Sequence, residues 1–113
     1  MTALPLEALF CVNERLVTYV ETTAGTMAVV AVGATCVGRI RASYDESIVT
    51  RGRVPAKAHR YETPIALDKG AELGRFEMGS TVVLLFESDR VRWDEGVGPE
   101  SKVQMGQKLG EVL

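Results

Sequence analysis

Residues 16–32 read Leu-Val-Thr-Tyr-Val-Glu-Thr-Thr-Ala-Gly-Thr-Met-Ala-Val-Val-Ala-Val, and this stretch decides the fold class. Its first part, Leu16–Thr22, is rich in β-branched and aromatic residues and partly alternates, which is typical of a strand. After Ala24-Gly25, the nearly continuous apolar run Thr26–Val32 fits either a buried strand or a buried helix segment. Its valine content and its flanking glycines favour the strand. The stretch therefore predicts two successive strands.

The pattern beyond this stretch is also that of a β protein. Thr35–Arg41 predicts a third strand, in which Gly38 indicates a bulge or a close backbone approach. Ser43–Thr63 is polar and irregular and predicts the longest loop. A turn is expected at Asp68-Lys69-Gly70, and a buried strand is expected at Val82–Phe86.

A weak internal repeat refines the fold class. Lys69–Phe76 and Met105–Val112 share the pattern Gly-x-x-Leu-Gly-x-apolar, and Gly33–Ile40 is a looser third copy. A turn glycine followed by a second glycine that enters a short strand suits a compact barrel of pseudo-symmetric hairpins. We expect residues 1–113 to form a single all-β domain, compact and similar to barrel-sandwich hybrids. Leu6–Phe10 would be its short N-terminal lead-in, either a short helical turn or an irregular segment.

Composition excludes several classes of function. The chain has 113 residues, 46% apolar and 25% charged, and its net charge of −2 gives no general attraction to nucleic acid. Cys11 and Cys36 form no disulfide framework, and scattered acidic residues predict no metal site. No apolar run approaches the roughly 18 residues of a spanning helix, and no signal peptide is evident. We expect a cytoplasmic protein whose membrane contact is peripheral.

The triplet Gly79-Ser80-Thr81 is the candidate reactive site. Gly79 has no side chain to shield its carbonyl, and Ser80 supplies a hydroxyl that can attack that carbonyl. A Gly-Ser pair before a strand usually marks only a turn. The neighbouring sequence decides between the two interpretations.

Four blocks, taken in order, resemble the C-terminal part of the phosphatidylserine decarboxylase proenzyme family. Met78 stands where that family usually has leucine, which is a conservative departure. The blocks cover nearly the whole chain and comprise Leu9-Phe10 with Asn13–Val17; Val32–Ile40; Lys69–Phe76; and Met78–Thr81 leading into Leu84–Phe86.

The resemblance implies self-cleavage between Gly79 and Ser80, with Ser80 as the nucleophile. Residues 1–79 would end the larger chain, and residues 80–113 would form a smaller chain that begins with a covalent pyruvoyl group derived from Ser80. Decarboxylation of an amino acid needs an electron sink, which the pyruvoyl carbonyl supplies. The implied reaction of phospholipid biosynthesis converts phosphatidylserine to phosphatidylethanolamine. The implied partners are the remainder of the larger chain and, peripherally, the cytoplasmic face of a membrane.

The resemblance also implies a base, a His paired with an Asp, upstream of these blocks. The only histidine, His59, lies in a segment unlike that motif, so we expect it to be a solvated residue. We therefore expect the chain to be a fragment that does not process itself efficiently in isolation. An alternative of another class stays open: a non-catalytic β-domain that binds lipid or a partner chain.

Other features have two interpretations each. Trp93 would either cap the edge of the core or anchor the chain at a membrane interface. Lys69 and Lys108 each sit beside a repeat glycine, but they lack the sequence setting of a biotinyl or lipoyl carrier. A basic group would be either a solvated loop or a contact for anionic lipid headgroups; its members are Arg39, Arg41, Arg51, Arg53, Lys57 and Arg60.

Overall fold

Seven strands make up the regular structure of the described residues. The computed structural model describes residues 13–35, 39–50, 58–77 and 81–113, and within these ranges it contains no helix. The all-β prediction is therefore confirmed, whereas the lead-in expected at Leu6–Phe10 lies outside the described residues. The strands are β1 (Asn13–Thr22), β2 (Gly25–Thr35), β3 (Ile40–Ala42), β4 (Gly74–Phe76), β5 (Thr81–Phe86), β6 (Val91–Trp93) and β7 (Gly110–Val112).

The strands form three sheets. One sheet has three strands in the order β1-β2-β5, and the other two are the antiparallel pairs β3–β4 and β6–β7. The described strands form no closed barrel, because the three sheets remain separate. Antiparallel strand pairs of the kind that the predicted fold requires are present, and the closure of a barrel is not seen in this part of the chain.

A tight turn at Thr23-Ala24 joins β1 to β2, as the Ala24-Gly25 punctuation predicted. The Thr22 hydroxyl donates to the carbonyl oxygen of Gly25 (2.8 Å), and its oxygen accepts the N–H of Ala24 (3.0 Å). Gly25 has a φ of +89°, a conformation that side chains rarely adopt. The local sequence thus fixes where the first hairpin reverses.

The third strand differs from its prediction. Thr35 ends β2 and Ile40 begins β3, and Gly38 lies outside the described residues. The loop predicted after it contains no named strand in its described parts, but it folds back beside β3. The N–H of Ala42 donates to the oxygen of Ile48 (3.1 Å), and the N–H of Thr50 donates to that of Ile40 (3.0 Å). This return buries Ile48 against the strand it follows.

The internal repeat corresponds to a repeated structure. Gly70 and Gly106 lie in turns with φ of +85° and +84°. In the first copy, Ala71 N–H donates to the oxygen of Asp68 (3.0 Å) before β4; in the second, Gln107 N–H donates to that of Gln104 (3.0 Å) before β7. Each copy then pairs antiparallel with an earlier strand. The looser third copy differs, because Gly33 is buried inside β2 rather than at a turn.

The contacts group the described residues into two units, 13–16 with 30–83 and 17–29 with 84–113. In the first unit the buried apolar residues are Ile40, Ala42 and Ile48, and Ile40 is only 1% exposed. In the second unit the buried apolar residue is Ala24. The well-packed core therefore surrounds β3.

Candidate functional site

The bond between Gly79 and Ser80 lies, with Met78, outside the described residues, but both of its flanks are described. On one side, Glu77 follows β4; on the other, Thr81 is the first residue of β5. Along the chain the predicted cleavage site therefore connects a strand of the β3–β4 sheet to a strand of the three-stranded sheet. The roles predicted for Gly79 and Ser80 stay predictions.

Glu77 is attached to β3 through both its backbone and its side chain. Its N–H donates to the carbonyl oxygen of Arg39 (2.7 Å), which extends the β3–β4 pairing by one residue. Its Oε1 accepts a hydrogen bond from Nε of Arg41 (2.7 Å), and its Oε2 lies 4.0 Å from Nε of Arg39. These side chains are half exposed, so the ion pairs contribute about 0–1 kcal/mol. The backbone bond does more to fix the residue two positions before Gly79.

The β5 flank is less buried than the sequence predicted. The strand forms as expected, but Val82, Val83 and Leu85 are exposed, while Leu84 and Phe86 are partly buried. The continuous apolar run predicts a strand covered on both faces. Within the described residues it is not covered in this way, and the prediction of a buried strand at Val82–Phe86 is wrong for this chain.

Sequence reasoning missed that part of the basic group has an acidic partner. Arg39 and Arg41 face Glu77, so they are not free for a headgroup in this arrangement. Arg60 is exposed, whereas the remaining three members, Arg51, Arg53 and Lys57, lie outside the described residues. The internal repeat is the sequence signal that could have indicated this contact. It aligns Glu77 with the residue that follows β7, and it therefore predicts that the segment containing Glu77 pairs with an earlier strand.

A second polar cluster links two parts of the predicted long loop. The Tyr61 hydroxyl donates to Oδ2 of Asp45 (2.5 Å), and Ser47 donates to Oδ1 through its N–H (2.9 Å) and its hydroxyl (2.7 Å). These hydrogen bonds hold the pKa of Asp45 below its ordinary value, and the bond from Tyr61 has the largest effect. The same carboxylate raises the pKa of Tyr61 to about 12. His59 nearby is exposed, as expected for a solvated residue.

Trp93 and Lys108 have structural roles in the second unit. The Trp93 ring packs edge-on against Phe86, with ring centroids 5.8 Å apart, which favours the interpretation that it caps the core edge. Lys108 and Arg92 both bind the carboxylate of Glu111, at 2.7 and 2.6 Å. Both cations lower the pKa of Glu111, and Lys108 has the larger effect. Lys108 is thus engaged in an ion pair.

Two kinds of site are not found in the described part of the chain. No group of three or more His, Cys, Asp or Glu side chains there is placed to hold a metal ion. None of its segments forms a helix long and apolar enough to cross a membrane. The described residues therefore add no metal centre to the candidate serine.

Comparison with known proteins supports the family resemblance. A sequence model of the phosphatidylserine decarboxylase family matches residues 2–111. A phosphatidylserine decarboxylase proenzyme of Myxococcus xanthus (strain DK1622) is 57% identical over 94% of this chain and 38% of its own length. Proenzymes of the same name from Anaeromyxobacter sp. (strain K) and Azotobacter vinelandii are 54% and 47% identical over 93% and 99% of this chain.

The match covers only part of each relative. This chain spans 38–40% of the length of these curated relatives. No solved structure matches it at a significant level. The family match nevertheless covers nearly the whole chain, including the Gly79-Ser80-Thr81 triplet and both of its described flanks. The chain belongs to the phosphatidylserine decarboxylase family.

Proposed function

We propose that this chain is part of a pyruvoyl-dependent phosphatidylserine decarboxylase, which converts phosphatidylserine to phosphatidylethanolamine in phospholipid biosynthesis. The observation that carries the proposal is the family match over residues 2–111, because that range includes Gly79-Ser80-Thr81, whose threonine begins β5. The whole enzyme would act peripherally at the cytoplasmic face of a membrane, where its substrate is found.

Ser80 performs the first step as a nucleophile. Its hydroxyl attacks the carbonyl carbon of Gly79, so that the amide becomes an ester and the serine amine is freed. Elimination then breaks the ester and leaves Gly79 with a carboxylate. Uptake of one water and loss of one ammonia convert the serine remnant to a pyruvoyl group. The products are residues 1–79 as the end of the larger chain and residues 80–113 as the smaller one.

The residues around the bond fit a covalent group of this kind. When present, the pyruvoyl carbonyl supplies the electron sink that decarboxylation requires. Thr81 is the first residue of β5, so a group at position 80 is carried by a residue adjoining a hydrogen-bonded strand. On the other side, the Glu77 backbone bond to Arg39 (2.7 Å) holds the chain that leads to Gly79.

The proton acceptor for Ser80 is assigned to the remainder of the enzyme's larger chain. His59 is the only histidine in the sequence, and it is exposed. It lies two residues before Tyr61, which binds Asp45. The relatives are more than twice as long as this chain, which leaves ample polypeptide to supply a base. General base catalysis of this kind contributes about 10²–10⁴-fold to a rate.

Mass spectrometry of a chimera tests this proposal. Residues 2–111 would replace the matching segment of the Myxococcus xanthus relative, with the numbering of this chain kept. We expect two fragments split between Gly79 and Ser80, whose summed mass equals the uncut chain plus one water minus one ammonia. The smaller fragment should be blocked to Edman sequencing. Ser80→Ala should remain a single chain of unchanged fold.

The outcomes separate the candidate functions. A folded chimera that stays intact would favour the non-catalytic β-domain that binds lipid or a partner chain. A small fragment with a free N-terminal serine would indicate plain hydrolysis without a pyruvoyl group. In the cleaved chimera, release of carbon dioxide from phosphatidylserine then measures the proposed activity.

Peripheral membrane contact is a separate part of the proposal. Each Lys or Arg near an anionic surface adds about 1 kcal/mol to binding, and the basic group contains Arg51 and Arg53 besides Arg39 and Arg41, which face Glu77. Reversing the charges of Arg51 and Arg53 should weaken sedimentation with phosphatidylserine vesicles, whereas Arg92→Glu in the second unit serves as a matched control. Equal binding by all three proteins would contradict this contact.

A further inference from the structure

The three-stranded sheet has apolar residues on both faces of its central strand. In the second unit, β2 contributes Met27, Ala28 and Val29 in succession, and successive strand residues point to opposite faces. A strand of this composition is typical of a sheet that is covered on both sides. Here all three residues are only partly buried. The described residues therefore do not supply the layers that this sequence pattern requires.

Some apolar side chains of the outer strands in the same unit are even less buried. On β1, Val17 and Tyr19 lie on one face and are 43% and 75% exposed. On β5, Leu85 is 55% exposed. Ala24 is the buried apolar residue of this unit among those described. We use the name sheet patch for the exposed and half-exposed apolar residues of this sheet, which are Val17, Tyr19, Met27–Val29 and Leu85.

Charge around the sheet patch disfavours a lipid surface as its cover. Glu21 accepts a hydrogen bond from the Thr26 hydroxyl (2.7 Å), and Glu87 accepts one from the Thr26 N–H (2.8 Å). Both carboxylates lie beside the patch, where an anionic phospholipid surface would repel them. A polypeptide layer, by contrast, can pack on the apolar residues and leave these acids at its edge.

The length of the relatives supplies the occupant. About three fifths of each relative lies outside the segment that this chain matches, as their 38–40% coverage implies. We infer that this remaining part of the decarboxylase polypeptide packs on the sheet patch and completes its core. The inference rests on the proposed function only in taking the rest of the enzyme as the partner; it does not require that Ser80 be cleaved.

Hydroxyl-radical footprinting of Tyr19 tests this inference. The isolated 113-residue chain is compared with the Myxococcus xanthus chimera, both carrying Ser80→Ala so that no cleavage takes place. In the chimera, labelling of Tyr19 should fall at least about threefold, because a packed tyrosine removes some 150–250 Å² from solvent. Met105, which lies at a turn and is fully exposed, serves as the internal control and should keep its labelling.

Other results would overturn the inference. Equal labelling of Tyr19 in the two proteins would leave the patch uncovered by the rest of the enzyme. Protection of Tyr19 that depends on the concentration of the isolated chain would assign the patch to a second copy, and protection only with phosphatidylserine vesicles would assign it to lipid. If the chimera does not fold, the remaining segment of the relative is added as a separate chain. Tyr19→Lys should then raise the dissociation constant of the added segment at least about tenfold relative to Met105→Lys.

Because every arm uses Ser80→Ala, loss of the proposed activity leaves these results unchanged. If the Ser80 parent of the chimera cleaves itself while Tyr19 stays labelled in the Ser80→Ala form, the proposed function is retained and the sheet patch is rejected as an interface. If Tyr19 is protected in the Ser80→Ala form while the Ser80 parent is not cleaved, the sheet patch is supported as an interface and the proposed self-cleavage is rejected.

Discussion

At the level of single residues, Asp45 and Tyr61 form the most strongly perturbed pair that the structure describes. The phenol donates to the carboxylate, so the neutral phenol and the charged carboxylate stabilise each other. The pKa of Tyr61 is accordingly raised to about 12 and that of Asp45 is lowered. The folded state gains stability from Tyr61 below its unfolded pKa of about 10 and loses it as the pH rises towards 12. Asp45 contributes above about pH 4 and loses its contribution as the pH falls further.

We expect Asp45→Asn to return the titration of Tyr61 to about pH 10, because the amide carries no charge to disfavour the phenolate. Tyrosinate absorbance measured against pH checks this, with Tyr61→Phe subtracted to isolate the signal of that residue. Ser47→Ala is the matched control, since Ser47 binds the other carboxylate oxygen. A midpoint for Tyr61 that is the same in Asp45→Asn and in the parent chain would contradict the assignment.

At the level of elements, two glycines allow the strands of the repeated antiparallel pairs to approach each other. Gly74 faces Ala42 across the β3–β4 pair, and Gly110 faces Trp93 across β6–β7. A Cβ on Gly74 would lie 2.7 Å from the carbonyl oxygen of Arg41, and one on Gly110 would collide with that of Arg92. Since both neighbours are backbone atoms of the paired strand, neither can move without disturbing the ladder. The same glycine therefore serves the same purpose in both copies.

Gly110→Ala should lower the free energy of unfolding by about 1–3 kcal/mol, the usual cost of forcing an extra methyl into a close contact. Gly96→Ala is the control, because no atom lies within 4 Å of its Cβ position and its φ is not positive. That control should be neutral or stabilising by about 0.4–1 kcal/mol. Urea denaturation measures both. Equal stability of the two variants would mean that the collision is relieved without cost.

Local patterns predicted the elements well where the chain itself determines the structure. The Ala24-Gly25 punctuation, the turn at Asp68–Gly70 and the Gly-x-x-Leu-Gly repeat all depend on neighbouring residues, and the structure contains each of them. The return of Ile48 beside β3 was missed, because it depends on tertiary pairing and its surrounding sequence is polar. The burial expected for Val82–Phe86 failed for a further reason: an apolar run shows that a face needs a cover, but not whether this chain provides it.

The candidate site was predicted by family resemblance rather than by physical pattern. Gly79-Ser80 alone is a common turn, and only the neighbouring blocks gave the serine a chemical role. The link from Arg41 to Glu77 joins residues 36 positions apart in sequence, so no local window contains it. Ion pairs of exposed side chains contribute little to stability and leave a correspondingly weak pattern in a sequence.

At the level of the whole molecule, the buried side chains are distributed unevenly. Ile40, Ala42 and Ile48 are buried in the first unit, while in the second the described residues bury Ala24. Opening the strands around β3 exposes two isoleucines to water, and each contributes about 1.5–3 kcal/mol. Opening the β6–β7 pair exposes Val91 and Trp93, which are already partly in water. The two units should therefore differ in their local stability.

Native-state hydrogen exchange of the isolated chain measures this difference amide by amide. The N–H of Ala42 bonds to Ile48 at 3.1 Å, whereas that of Asp94 bonds to Leu109 at 2.8 Å, so bond length alone would favour slower exchange at Asp94. We expect the reverse, with protection at Ala42 at least about tenfold higher, because a tenfold ratio requires only about 1.4 kcal/mol and one buried isoleucine exceeds it. Ile48→Ala should remove that advantage at Ala42 and leave Asp94 unchanged. Equal protection of the two amides in the parent chain would show that both units open in one cooperative step, which the burial of Ile40 and Ile48 does not favour.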